Sequence, residues 1–184
     1  EFNRNALGFH KPGMWDKIVD VSTCHLQADP SNAIRNFVRA YAHENSISFF
    51  DPKNKAGFLR SLMIRTTSTE EVMIVFQVFH KEDTILFPLL DALAQEFPDI
   101  TSLQYVINGK ANDTLYDQEI VCYKGQDYIT EVMEALKFRI TAKSFYQTNS
   151  LQAFELYKVV RELADLQGDE LVYDLYTGTG TIAQ

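Results

Sequence analysis

The 184 residues carry 17 Lys and Arg against 25 Asp and Glu, a formal charge of −8, and 46% are hydrophobic. That composition supports a packed core and argues against wholesale disorder. The acidic total argues against a free-standing nucleic-acid binder, though it leaves local basic patches open.

No apolar run reaches the roughly 18 residues of a membrane helix. The start, Glu1-Phe2-Asn3-Arg4, has no secretory pattern, so the chain is expected to begin inside a longer protein or to follow a removed tag. Cys24 and Cys122 lie far apart and form neither a disulfide framework nor a metal-spaced pair. A reducing cytoplasmic setting, no membrane association and a monomer are the expectations.

Lys11-Pro12-Gly13 reads as a hairpin tip between Leu7-Gly8-Phe9 and Met14-Trp15, and residues 18–21 as a short strand. Asp29 and Pro30 supply an N-cap and an N1 proline for a helix to near Asn45, with Ile34, Phe37, Val38 and Tyr41 at helical spacing. Residues 57–65 and 71–79 are strand-like and joined by a polar connection. Residues 84–97 form a second helix with Ile85, Leu89, Leu93 and Phe97 on one face, and Pro88 near its first turn. Residues 103–107 make a strand stopped by Asn108-Gly109. This β-α-β-β-α-β order predicts a ferredoxin-like α+β arrangement.

Three short strands follow, at 119–123, 128–132 and 136–140. Asn149 then opens a long helix with the apolar stripe Leu156, Val159, Val160, Leu163 and Leu166, with Gln152 placed as in a capping box and Gly168 as the stop. Residues 171–176 read as a buried strand, followed at once by Thr177-Gly178-Thr179-Gly180-Thr181 and the start of another helix.

Two constellations carry chemistry. A strand ending near Asp174, then Gly-x-Gly, then a helix start, presents backbone N–H groups at the edge of a sheet. Glycine allows a ligand to lie against the backbone where a Cβ would clash. The spacing from Gly178 to Ala183 also satisfies the G-x-G-x-x-A dinucleotide fingerprint, so a nicotinamide or flavin oxidoreductase is an alternative. The other constellation is Phe145-Tyr146-Gln147-Thr148-Asn149, where an aromatic beside amides can stack on a base and bond its edge. Structural roles compete: Asn149 as a helix cap, Phe145 as core. A non-enzymatic RNA-binding module on the ferredoxin-like part is a further alternative, although the strands show Arg60 and Arg65 without a clear aromatic signature.

Together, the Phe145–Asn149 segment, the amphipathic helix and the run from Val172 to Thr181 resemble the RNA 5-methyluridine (uracil-C5) methyltransferase family. The entry from Leu7 through Val21 to Cys24 fits as well. The resemblance implies a central ferredoxin-like α/β domain over 1–135 and the start of a Rossmann-like, S-adenosylmethionine-dependent methyltransferase domain over 136–184. It implies cofactor contacts at Gln147, Tyr176, Gly178, Gly180 and Thr181, and substrate contacts at Phe145 and Asn149. Cys24 matches the last ligand of a [4Fe–4S] cluster that some members carry, whose other three ligands would precede residue 1. Cys122 matches nothing catalytic and reads as core. The implied chemistry is addition of a cysteine thiolate at C6 of a flipped uracil, methylation at C5, and removal of the C5 proton. Neither nucleophile nor base is identified in this chain, which is expected to be inactive alone. The implied substrate is ribosomal or transfer RNA.

Overall fold

The computed structural model describes residues 5–182. Its elements, in chain order, are β1 (Gly8–Lys11), β2 (Met14–Asp20), α1 (Ser31–Glu44), β3 (Leu59–Thr66), β4 (Val72–Val78), α2 (Asp83–Glu96), β5 (Ser102–Ile107), β6 (Ile120–Gly125), β7 (Tyr128–Met133), β8 (Leu136–Thr141) and α3 (Ser150–Ala164). No helix among the described residues is long and apolar enough to cross a membrane.

The α+β class is the one the sequence indicates. β4 reads VMIVFQV and is buried at every position, as a strand covered on both faces must be. It pairs antiparallel with β3 and parallel with β5, with α2 as the crossover, and β6 closes the sheet in the order β3-β4-β5-β6. Alternate residues of β4 serve two cores. Ile74 and Phe76 meet Ile34 and Val38 of α1 and Leu86, Leu89, Leu90 and Leu93 of α2. Met73 and Val75 meet Ile129 of β7 and Ile140 of β8 on the opposite face. The result is three layers: helices, sheet, and the β7–β8 hairpin.

The pairing differs from the ferredoxin-like expectation. The elements follow one another as predicted, yet among the described residues β2 pairs only with β1, in a separate two-stranded hairpin. A central strand is buried on both faces, and β2 carries Asp16, Lys17 and Asp20. It cannot take the inner place that β4 fills. The buried face of α2 is Leu86, Leu89, Leu90 and Leu93, which keeps Leu89 and Leu93 of the expected stripe, with Ile85 and Phe97 half-buried against the same core. Pro88 falls in its second turn rather than its first. α1 starts at Ser31, with Pro30 in the cap position and no side-chain cap.

Four further expectations are corrected. Residues 171–176 form no strand. Leu171, Tyr173 and Leu175 stand more than 75% exposed, because a parallel-type strand needs a neighbour to bond and none lies beside it among the described residues. The apolar stripe of α3 is likewise exposed; only Ala153 of that helix is buried. α3 ends at Ala164, capped by Asp165, itself left-handed with φ 46°, three residues before Gly168. Cys122, read as core, is exposed on the outer strand β6. The start of a further helix at 182–184 lies partly outside the described residues. The division expected after residue 135 falls inside the β7–β8 hairpin, where Met133 pairs with Leu136.

Candidate functional site

The site is built where β8 turns into α3. Ser144 closes β8: its backbone N–H donates to the Thr141 carbonyl at 3.1 Å, and its hydroxyl accepts from Thr141 N at 3.0 Å. Arg65 of β3 donates through Nη1 to the Ser144 carbonyl at 2.9 Å, holding this turn against the sheet.

Phe145 points outward and is 68% exposed, contrary to a core role. Tyr146 packs on Phe138, ring centroids 6.1 Å apart, and its buried hydroxyl has no hydrogen-bond partner among the described residues. Burial, aided by the nearby Glu131 charge, pushes its pKa up to about 12. Gln147 is exposed and makes no side-chain hydrogen bond among the described residues. Asn149 is the N-cap of α3: its Oδ1 accepts from Gln152 N at 3.0 Å. The capping residue read from the sequence is therefore observed, and it leaves the Asn149 Nδ2 outside that bond.

Glu131 is the element the sequence reading missed. It is 1% exposed on β7. Its carboxylate accepts from Ser68 N at 3.1 Å, from Ser68 Oγ, from Val132 N at 3.0 Å and from Ser150 Oγ at 2.8 Å. It thereby fastens the β3–β4 turn to the first residue of α3. The signal was present: Glu131 shares the inward face of β7 with Ile129, and an acid at an inward strand position needs donors.

The glycine loop lies against this segment. Thr177 Oγ1 donates to Asp174 Oδ2 at 2.7 Å, and Gly180 N donates to the Thr177 carbonyl at 2.7 Å, so the loop curls on itself. Gly178 and Gly180 take φ of 56° and 80°, which glycine adopts without penalty. Thr179 Oγ1 reaches the Phe145 carbonyl at 3.5 Å, and Thr181 Oγ1 donates to the Tyr157 hydroxyl of α3 at 3.2 Å. The structure thus brings Phe145 beside the loop that holds Gly178, Gly180 and Thr181. Tyr176, with φ 65°, is fully exposed on the outside of that loop. No hydrogen bond joins Gln147 to the loop among the described residues.

Cys24 lies apart from this site. Its backbone is bracketed by Asn32, which accepts from Cys24 N at 2.8 Å and donates to the Cys24 carbonyl at 3.1 Å. Its thiol is free and half-buried. No group of three or more His, Cys, Asp or Glu is placed to hold a metal among the described residues, so they do not by themselves fit a four-thiolate cluster.

No family model matches the chain. It is 57% identical over 182 residues to a protein of Porphyromonas gingivalis and 52% identical to one of Bacteroides thetaiotaomicron, both called uncharacterized RNA methyltransferases. These alignments cover 98% and 97% of the chain but only 39% and 40% of the relatives. The crystal structure of the Pyrococcus abyssi tRNA (uracil-54, C5)-methyltransferase, in complex with S-adenosyl-L-homocysteine, superposes with a TM-score of 0.76. The match is 31% identical and covers 97% of this chain and 42% of that one. The chain spans about two fifths of the length of the relatives it matches. By sequence and by fold, the chain is similar to a segment of these three proteins, two of them called RNA methyltransferases and the third a tRNA (uracil-54, C5)-methyltransferase.

Proposed function

We propose that this chain is part of an enzyme that methylates C5 of a uridine in ribosomal or transfer RNA, with S-adenosylmethionine as methyl donor. The observation that supports this most is the meeting of the Phe145–Asn149 segment with the glycine loop through Thr179, while Thr181 of the same loop bonds Tyr157 of α3. One segment offers an exposed ring and two amides for a flipped base. The other offers a backbone without side chains against which a cofactor can lie.

On this reading Phe145 stacks on the uracil, and Asn149 uses its Nδ2 on the base edge while Oδ1 caps α3. Gln147, Tyr176, Gly178, Gly180 and Thr181 hold the methyl donor. That donor supplies an electrophilic methyl group. A thiolate must add to C6 to make C5 nucleophilic, and a base must then take the C5 proton. Cys24 is bonded to Asn32, and Cys122 sits on the far edge strand with its thiol toward the Lys124 and Gly125 carbonyls. Neither joins the site. Both nucleophile and base are assigned to the remainder of the full-length protein.

Residues 1–135 then form a central domain and residues 136–184 the opening of the methyl-donor domain, with the β7–β8 hairpin straddling the division. A [4Fe–4S] cluster would draw on Cys24 only with three thiolates from outside the chain. The protein is proposed to act as a cytoplasmic monomer on RNA.

The test is transfer of a labelled methyl group from S-adenosylmethionine to RNA by the full-length protein, with the product nucleoside identified by mass spectrometry. 5-Methyluridine is expected from the full-length protein, and no transfer from the 184-residue chain. A methylated nucleoside other than 5-methyluridine, or activity of the short chain, refutes the proposal.

A further inference from the structure

β8 alternates along its length. Phe138 and Ile140 are buried toward the sheet, and Lys137, Arg139 and Thr141 are exposed on the outer face of the β7–β8 hairpin. Lys137 and Arg139 stand about 7 Å apart along the strand. Lys143, in the turn that follows, is exposed as well. The molecule as a whole carries −8, so this run of cations goes against its composition.

None of the three cations meets a carboxylate among the described residues. Lys137 makes no hydrogen bond or ion pair with them. Arg139 lies over the Tyr128 ring at 4.6 Å, which anchors the guanidinium on the hairpin and leaves its N–H donors unused. Lys143 donates to the Tyr116 and Gln118 carbonyls at 3.1 and 2.7 Å, and an ammonium keeps a third donor. The acids that reach the hairpin are engaged elsewhere. Glu131 is buried among its donors, Glu134 pairs with Arg161 at 2.9 Å, and Glu71 accepts from Thr130 N at 2.7 Å. Asp127 stands just before β7, where its charge acts on the Cys122 thiol.

We infer that the outer face of β8 is a track for the RNA backbone, on which Lys137, Arg139 and Lys143 hold phosphates of the strand that brings the target uridine to Phe145. Cations at strand spacing with no acid between them suit an extended polyanion. Contacts of this kind position a nucleic acid without reading its sequence. The choice of RNA as the polyanion rests on the proposed function above.

The track ends at the proposed base site. Ser144 N donates to the Thr141 carbonyl at 3.1 Å, which closes a tight turn, and the ends of such a turn lie within about 7 Å of each other. Phe145, 68% exposed, is the next residue. Arg65 is half-buried, bonds the Ser144 carbonyl at 2.9 Å and meets no carboxylate among the described residues. A fourth positive charge therefore stands at the Phe145 end. Ile129 and Ile140 pack the hairpin on the sheet, and Glu131 ties it to Ser68, so track and base site share one rigid support.

The test is binding of fluorescein-labelled oligouridylate to the full-length protein, read by anisotropy over a range of salt concentrations. Lys137→Glu combined with Arg139→Glu should weaken binding at least tenfold. It should also make the log–log salt dependence shallower by about 1.4, the value for two phosphate contacts on a single strand. Lys137→Gln combined with Arg139→Gln adds no repulsion and should lose the same slope, which keeps the test decisive if the glutamate pair folds poorly. Lys81→Glu, the same kind of charge change just before α2, should bind within twofold of the unaltered protein. Unchanged affinity and slope in the glutamine pair, or an equal loss in Lys81→Glu, overturns the inference. So does a glutamine pair that keeps its slope but melts several degrees lower, which would show the stripe paired with an acidic surface of the protein itself. No methyl transfer enters these readings. A product other than 5-methyluridine would refute the proposed function and leave the track standing, whereas an unchanged slope in a protein that makes 5-methyluridine would remove the track alone.

Discussion

Glu131 Oε2 accepts a hydrogen bond from Ser150 Oγ at 2.8 Å, and the same carboxylate accepts from the backbone of Ser68, at the turn that ends β3. One buried acid therefore sets the position of α3, and with it Asn149 and Phe145, relative to the sheet. Glu131→Gln replaces an acceptor oxygen with a donor among four donors. It should lower stability by about 2 kcal/mol, the usual effect of spoiling bonds to a buried charge. Urea denaturation measures this. Amide exchange at residues 144–152 should quicken in the same variant, whereas exchange in α2 should change only as global stability does. Equal acceleration in both segments would show that Glu131 supports the whole fold rather than this segment.

Much of this was legible beforehand, for identifiable reasons. β4 is apolar throughout, and Asn149 with Gln152 makes a local cap, so a short window of sequence suffices for each. The partners of β2 were not legible. Strand pairing is decided by which strand tolerates burial on both faces, a comparison across the chain rather than within a window. Residues 171–176 misled because an apolar run reports a propensity to be buried, not a partner to be buried against. Phe145, the glycine loop and the cap were named as site residues from their pattern. Glu131 was not, since its donors come from Ser68 and Ser150, far away in sequence.

Tyr146 gives a pH prediction. Its hydroxyl is buried without a hydrogen-bond partner among the described residues, and its pKa is raised from 10.0 to about 12. Below pH 10 the phenol is neutral in both states and contributes no pH dependence. Between about 10 and 12 the unfolded chain loses this proton while the folded chain keeps it, so stability falls as pH rises. Tyr123 shows the same elevation, caused by its hydrogen bond to Asp91. Tyr146→Phe should leave stability near pH 8 unchanged or raised by up to about 1 kcal/mol, because an unpaired buried hydroxyl is removed. It should also flatten part of the decline from pH 10 to 12. Tyr123→Phe should flatten another part and lose its bond to Asp91. Urea midpoints at pH 8 and pH 11 for both variants check the pair.

Asn149 has two proposed tasks that substitution can separate. Asn149→Ala removes the cap and should cost about 1 kcal/mol. Asn149→Ser keeps a cap oxygen and should cost only a few tenths, yet it removes the amide Nδ2 proposed to meet the base. In the full-length protein, Asn149→Ser should therefore retain its melting temperature within about 1–2 °C and lose methyl transfer at least tenfold. Retained activity in the serine variant would reduce Asn149 to a cap.

Gly178 separates loop strain from cofactor contact. A Cβ there would meet nothing closer than the Phe145 and Tyr176 carbonyl oxygens at 3.9 Å, so space alone does not forbid alanine. The φ of 56° is the cost, about 1 kcal/mol for a non-glycine residue in the left-handed region. That cost falls on a loop that joins the rest of the described residues mainly through Thr179 and Thr181. In the 184-residue chain, Gly178→Ala should leave the urea midpoint almost unchanged, because the loop contributes little to the core. In the full-length protein the added methyl group would stand where the methyl donor is proposed to lie. The dissociation constant for S-adenosylmethionine should rise at least tenfold by calorimetry while the melting temperature without ligand stays the same. An unchanged dissociation constant would leave the glycine as a turn residue and move the cofactor contact to Gln147 and Thr181.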